Sequence, residues 1–187
     1  LTVAAVVAGL KNLVPPEAAD ARDQIWAHSV DTALGARLIA DDNGREWSEE
    51  AVVAGLLHDC GRLGLLGSET ASYVPLFAPG VRPDVETERR VLGVDHQEVG
   101  GALLERWGFP EVLRRAAQRH HEDDFTSDAA GLVGAFVVLA DCLLSPGRAH
   151  DPKVAARRIG LAEDGTEELA VELAGRVANM RQELLAL

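Results

Sequence analysis

Apolar residues recur three and four positions apart along most of this chain, the spacing of helices that bury one face. No pair of segments offers the period-two alternation of a credible hairpin. The apolar opening "LTVAAVVAGLKNLV" reads as a core helix, since it lacks the basic start and cleavage site of a leader. "VPPE" at residues 14 to 17 stops it and opens a second helix, which runs through "AADARDQIWAHSVDTALGARLIADD" to a turn at Asn43-Gly44. Ser48, followed by Glu49 and Glu50, marks the start of a helix that carries His58 and Asp59 in its middle. Residues 67 to 83 are broken by Gly and Pro and read as a loop with short turns. Asp95 is the expected N-cap of "HQEVGGALLERWGF", and Pro110 opens "EVLRRAAQRHHE". "DAAGLVGAFVVLADCLL" is a nearly all-apolar helix ended by "SPG"; a short helix near "PKVAARRIG" and a longer one capped by Thr166 follow. The pattern predicts an all-α bundle.

Composition agrees with packed helices. Ala, Leu and Val dominate the hydrophobic 47%, while aromatic residues make up only 4%. At 187 residues, with no linker or shift in composition, residues 1–187 read as one domain. A formal net charge of −12 argues against binding a nucleic-acid backbone, which needs a basic surplus. No apolar run approaches the roughly 20 residues of a membrane span. Cys60 and Cys142 have neither zinc spacing nor a disulfide framework and read as buried, reduced thiols in a cytoplasmic protein. The first residue is Leu1, which reads as the start of a fragment.

Several polar residues fall on faces that should be buried. His28 shares a helical face with Ile25, Thr32, Gly35, Ala36 and Ile39. His96 shares one with Val99, Gly100, Leu103 and Trp107, and His120 continues the stripe of Leu113, Ala116 and Ala117. Asp141 interrupts "VGAFVVLADCLL", a segment with no other charge. Arg62 lies four residues after His58 and three after Asp59, close enough on a helix to meet both. Taken singly, each has an ordinary explanation: an inward histidine bonded within the core, an aspartate paired with an arginine, or His120-His121 exposed at a helix end. Together they would require five of the six histidines and two aspartates to be buried with separate partners. One divalent-metal cluster satisfies all of them, because imidazole and carboxylate are ligands that iron, manganese and zinc accept. The sixth histidine, His150 in "GRAHDPK", sits in a Gly-Pro-bounded stretch with no apolar stripe and is expected to bind no metal. "VGGALL" is no dinucleotide-binding motif, since it follows no strand and its glycine spacing is wrong.

His28 in "WAHS", His58-Asp59 in "GLLHDCGR", His96 in "DHQEVG", His120-His121 in "RHHE" and Asp141 in "LADC" resemble, in order, the H…HD…H…HH…D pattern of the HD-domain superfamily of metal-dependent phosphohydrolases. "GLLHDCGRL", "LGVDHQEVGGALLERWGFPEVL", "AAQRHH" and "RIGLAEDG" are most similar to its HDOD branch, the HD-related output domains of bacterial signalling proteins. The likeness covers residues 20 to 170 or so, and HDOD domains usually carry further helices upstream. The related HD-GYP cyclic-di-GMP phosphodiesterases have a Gly-Tyr-Pro element after the paired histidines, where this chain has "EDDFTSDAAG". They also have a lysine where Arg62 stands, and both departures argue against cyclic-di-GMP as substrate.

The resemblance implies a two-metal centre within an HD/HDOD helical bundle. One ion would take His28, His58, Asp59 and Asp141; the other would take His96, His120 and His121, with Asp59 bridging. Iron or manganese is favoured, with zinc, magnesium or nickel as alternatives. The implied chemistry is hydrolysis of a phosphomonoester or phosphodiester, a nucleotide or signalling nucleotide included, with Asp59 and Arg62 as the catalytic residues. Arg62 would neutralise a phosphate oxygen, and Glu98 and Glu122 are candidates to orient imidazoles, with surface positions an equal alternative. The rival expectation is a non-catalytic signalling module in which metal holds the bundle together and a signalling protein or upstream domain is the partner.

Overall fold

Several helix starts in this chain are set by aspartate side chains, and several helix ends fall at glycine or at residues of the candidate centre. The structure is a computed structural model that describes residues 9–10, 12–44, 46–145, 151–162 and 164–185, with side chains described to residue 183. The helices of seven residues or longer are α1 (Ala19–Asp42), α2 (Ser48–Leu57), α3 (Cys60–Ser68), α4 (Val85–Leu92), α5 (His96–Arg106), α6 (Glu111–Arg119), α7 (Ala129–Leu144), α8 (Pro152–Arg158) and α9 (Thr166–Leu185). Among the described residues there is no strand beyond an isolated antiparallel bridge between Ala78 and Val81. The architecture is all-α, as the spacing predicts.

Side-chain caps fix several helix starts. Asp95 accepts from the backbone N–H groups of Gln97 and Glu98 at 2.8 and 3.0 Å, the expected cap of α5. Asp84, Asp128 and Asp151 cap α4, α7 and α8 in the same way. Ser48 is not a cap: it is the first residue of α2, and its hydroxyl donates to Asp41 at 2.6 Å. Nor does Thr166 cap α9, whose first turn closes from the Leu169 N–H to the Gly165 carbonyl. Pro16 opens a 3₁₀ turn over Pro16–Ala18 before α1 begins. Gly9, Leu10, Asn12 and Leu13 of the opening segment are helical, and its first eight residues lie outside those described. So does His150.

Two further differences matter for the site. His58 and Asp59 do not lie inside a helix but at the junction between α2 and α3. Residues 84 to 94, to which the pattern assigned no element, form α4, which opens at the Asp84 cap and ends at the left-handed Gly93. The stretch between α3 and α4 is the expected run of turns, a helical turn over Thr70–Tyr73 and a 3₁₀ turn over Val74–Leu76.

Two apolar clusters hold the bundle. The larger surrounds α7, whose Val133, Phe136, Val137, Leu139 and Ala140 pack against α1, α2, α6, α8 and α9 through residues such as Ile39, Ala54, Ala116, Ala155 and Leu173. The smaller gathers Ile25, Leu57, Leu63, Leu66, Tyr73 and Leu104 around α3 and α5. Backbones approach closely where glycine allows it. A Cβ on Gly55 would lie 2.7 Å from the Ala33 Cα, and one on Gly61 would lie 1.9 Å from the His96 carbonyl oxygen. Gly61 thus lets α3 and α5 cross with Asp59 beside His96. No helix among the described residues is long and apolar enough to cross a membrane.

Candidate metal centre

Each candidate ligand is delivered from a helix or a helix end next to apolar anchors. His28 sits on α1, one turn after buried Ile25. His58 follows Leu57 at the C-terminal end of α2, and Asp59 occupies the cap position of α3. His96 is the first residue of α5, His120 ends α6 and His121 follows it, and Asp141 comes from the apolar α7. All are buried except His121, which is partly so, and His58, Asp59 and His96 are fully enclosed.

The fold brings these ligands together as three overlapping groups whose donor atoms lie within 4.8 Å of one another: His28 with His58 and Asp141, His96 with His120 and His121, and His58 with Asp59 and His120. Asp59 stands between the halves. Its Oδ1 is 3.4 Å from Nε2 of both His96 and His120. Its Oδ2 is 3.7 Å from Nε2 of both His28 and His58. Buried Oδ2 has no hydrogen-bond partner, a costly state for a carboxylate oxygen unless a cation serves it.

The ring partners assign the tautomers. His58 Nδ1 donates to the Gly55 carbonyl at 2.7 Å, and His120 Nδ1 donates to the Ala117 carbonyl at 2.9 Å. His96 Nδ1 donates to Glu88 Oε2 at 2.5 Å. In the neutral rings, all three Nε2 atoms therefore carry a lone pair rather than a proton. Those of His96 and His120 lie 3.1 Å apart, both facing the Asp59 oxygen, with no proton available between the two nitrogens. Three electron-rich atoms in so small a volume fit a divalent cation, and the imidazole and carboxylate donors suit a first-row metal. His28 Nε2 completes the other half, 3.1 Å from Asp141 Oδ1 and 3.1 Å from His58 Nε2, while its Nδ1 meets the Ser145 hydroxyl at 3.2 Å.

Burial favours the neutral form of His28, His58, His96 and His121, the state a metal requires. It pushes His58 down to about 3 and lowers His28, His96 and His121 as well. Burial alone would raise Asp59, but Arg62 first and the surrounding histidines after it outweigh that and hold the carboxylate well below its usual range. Cys60, beside it, is driven up to about 12 by burial, so it remains a thiol. Both cysteines are free, Cys60 buried as expected but Cys142 only partly so.

Arg62 was expected to face a phosphate; instead it is buried and committed to the protein. Its Nε donates to Asp59 Oδ1 at 2.9 Å, and its Nη1 donates to Glu88 Oε1 at 2.6 Å and to the Pro83 carbonyl at 2.8 Å. Its Nη2 reaches His96 Nε2 at 3.3 Å. The arginine that borders the centre from the outside is Arg82, whose Nε lies 3.8 Å from Asp59 Oδ2 with 11% of its side chain exposed. Glu98 and Glu122 touch no ligand histidine in the described contacts; Glu98 pairs with Arg89 and Glu122 with Arg119 on the surface. The glutamate that orients an imidazole is Glu88, which sequence reasoning passed over. Asp84, with Thr87 as its partner, and Gly93 were the available signals for α4, but nothing in its own pattern marks Glu88 as buried.

Among curated proteins, none matches the chain. Solved structures do. An HDOD domain protein of unknown function from Geobacter sulfurreducens is 27% identical with a TM-score of 0.70, over 94% of this chain and 67% of that one. The MmoQ response regulator from Methylococcus capsulatus is also 27% identical, with a TM-score of 0.62, over 82% of this chain and 61% of its own length. A structure from Marinobacter aquaeolei, 20% identical with a TM-score of 0.64 over 83% of this chain and 38% of that one, shares the fold. The HDOD domain family model matches residues 1–123, and the chain belongs to that family.

Proposed function

We propose that this chain is a divalent-metal-binding HDOD domain that hydrolyses a phosphoester, a nucleotide or signalling nucleotide included, within a signalling protein. The carrying observation is the pair of proton-free Nε2 atoms of His96 and His120, 3.1 Å apart and both facing Asp59. Two ions held by His28, His58, Asp141 and Asp59 on one side, and by His96, His120, His121 and Asp59 on the other, would supply electrostatic stabilisation of a phosphoryl group and activation of water. Within that centre the chain's own residues have separable tasks. Asp59 shares its two oxygens between the halves. Arg62 holds Oδ1 and fixes the carboxylate's angle. Arg82, the more exposed of the two arginines beside Asp59, is the candidate to meet an anionic ligand.

A second reading, a non-catalytic output module, is favoured by the burial of most of the ligands and by the commitment of Arg62 to Asp59, Glu88 and Pro83. Likeness to a response regulator agrees with either reading. The test is metal analysis of protein purified without chelator, followed by a panel of nucleotides, cyclic dinucleotides and generic phosphodiesters at full loading with iron or manganese. Metal-dependent turnover that falls in Arg82→Ala without loss of metal supports the enzyme. Full loading with no turnover, together with destabilisation on chelation, supports the module.

A further inference from the structure

The only buried residue of α4 is a carboxylate. Glu88 enters the protein fully enclosed, and both its oxygens are occupied there. Oε2 accepts from the backbone N–H of His96 at 2.9 Å and from its Nδ1 at 2.5 Å. Oε1 accepts from Arg62 Nη1 at 2.6 Å and from the Tyr73 hydroxyl. A helix normally docks by burying an apolar stripe. This one leaves Val91 exposed and is tied to α5 by Arg89 on the capping Asp95, 2.6 Å away. Leu92 packs at the edge of the smaller apolar cluster, but the orientation of His96 depends on the one buried side chain, Glu88.

We propose that Glu88 is the positioning carboxylate of the His96 half of the centre and that, through it, docking of α4 is coupled to occupancy of that half by a metal ion. A carboxylate on the far nitrogen of a ligating histidine fixes its tautomer and strengthens it as a ligand. The supports of the His28 half differ: His28 meets the Ser145 hydroxyl, and His58 is held by a backbone carbonyl of its own helix. The His96 half is thus wired to α4 through Glu88. By linkage, metal that binds better when α4 is docked must in turn hold α4 down. The proposal rests on the metal-centre reading above.

The experiment titrates Mn²⁺ into metal-free wild-type protein and Glu88→Gln by calorimetry and reads the His96 tautomer by long-range ¹H–¹⁵N NMR. The neutral amide presents an N–H either to His96 or to Arg62, so one side of the network must break. Expected is a roughly 10- to 100-fold loss of affinity at one site, the other unchanged, with His96 losing its fixed Nδ1–H form. In the wild type, Mn²⁺ should slow hydrogen exchange of the amides at 85–92. That measurement stands even if Glu88→Gln fails to fold. Two sites of wild-type affinity in Glu88→Gln, an equal loss at both, or wild-type exchange at 85–92 indifferent to Mn²⁺ would each overturn the proposal alone. A wild-type protein that binds no Mn²⁺ at either site would overturn the metal-centre reading with it.

Discussion

The two halves of the candidate centre reach the same ligand chemistry through different supports. His28, His58 and Asp141 stand on α1, the end of α2 and α7, three helices that meet in the larger apolar cluster. Their positions follow from the packing of Val, Leu, Ile and Ala side chains, which interdigitate at crystal-like density and leave little room to shift. His96 is the first residue of α5 and His120 directly follows α6, and His96 is held by a buried chain of Glu88, Arg62, Tyr73 and Asp59. Such a polar network is rigid only while every member is satisfied. The apolar frame should tolerate losses gradually, and the charged one should fail abruptly when a single partner is removed.

The largest effect should come from the residue common to both. Asp59→Ala removes the carboxylate that faces all four nearby Nε2 atoms, and metal content should fall from roughly two ions per chain to one or none, read by elemental analysis. Retention of both ions would show that the halves do not share Asp59.

Arg62→Ala should break the charged side alone. It strands Asp59 and Glu88 as buried carboxylates, at a cost of about 3–5 kcal/mol in denaturant unfolding of the metal-free protein. Metal should be lost first from the His96 half, and a change within measurement error would mean that the network carries little of the fold.

Leu139→Ala makes the matching cut in the apolar frame, where the side chain is fully buried. A loss of about 2–5 kcal/mol is expected from transfer and cavity terms. Below its unfolding temperature the variant should still bind both ions, because the remaining packing holds the ligands in place. Loss of one ion would erase the contrast between the two supports.

Acid should act through the enclosed histidines. His58 is held at about 3 by burial, against an ordinary value of 6.5, so the unfolded chain takes up its proton first as pH falls. The lowered values of His28 and His96 act in the same direction. Metal-free stability should be fully present above about pH 6.5 and decline as pH falls from there towards 3. Chemical unfolding followed between pH 7 and 5 measures this, and stability that rose on acidification would contradict the neutral imidazoles.

The smallest expected effect is none. His150, outside the described residues, also precedes an aspartate, and His150→Ala should leave metal content unchanged. A loss comparable to that of His120→Ala would mean that the centre extends beyond the two halves.

What this sequence determined by itself is the all-α architecture and the identity of the residues that gather, because both are written in local pattern. Helical spacing alone turns His28 and His120 inward, and Asp141 stands out as the sole charge in an apolar helix. Tertiary structure decided what each polar group meets. The helix break at His58-Asp59 is invisible in the run "GLLHDCGRLGLL", and so is the crossing of α3 against the His96 carbonyl that requires Gly61. Arg62 sits at the right spacing to reach Asp59, as the sequence implies, but its other hydrogens are claimed by Glu88 and Pro83, which are distant in the chain. Glu88 itself looks like one more acid on a charged helix, and its burial depends on a cation and an imidazole that only the fold brings to it. Periodicity reports which face a residue occupies, whereas the partner that makes burial of a charge tolerable comes from elsewhere in the chain.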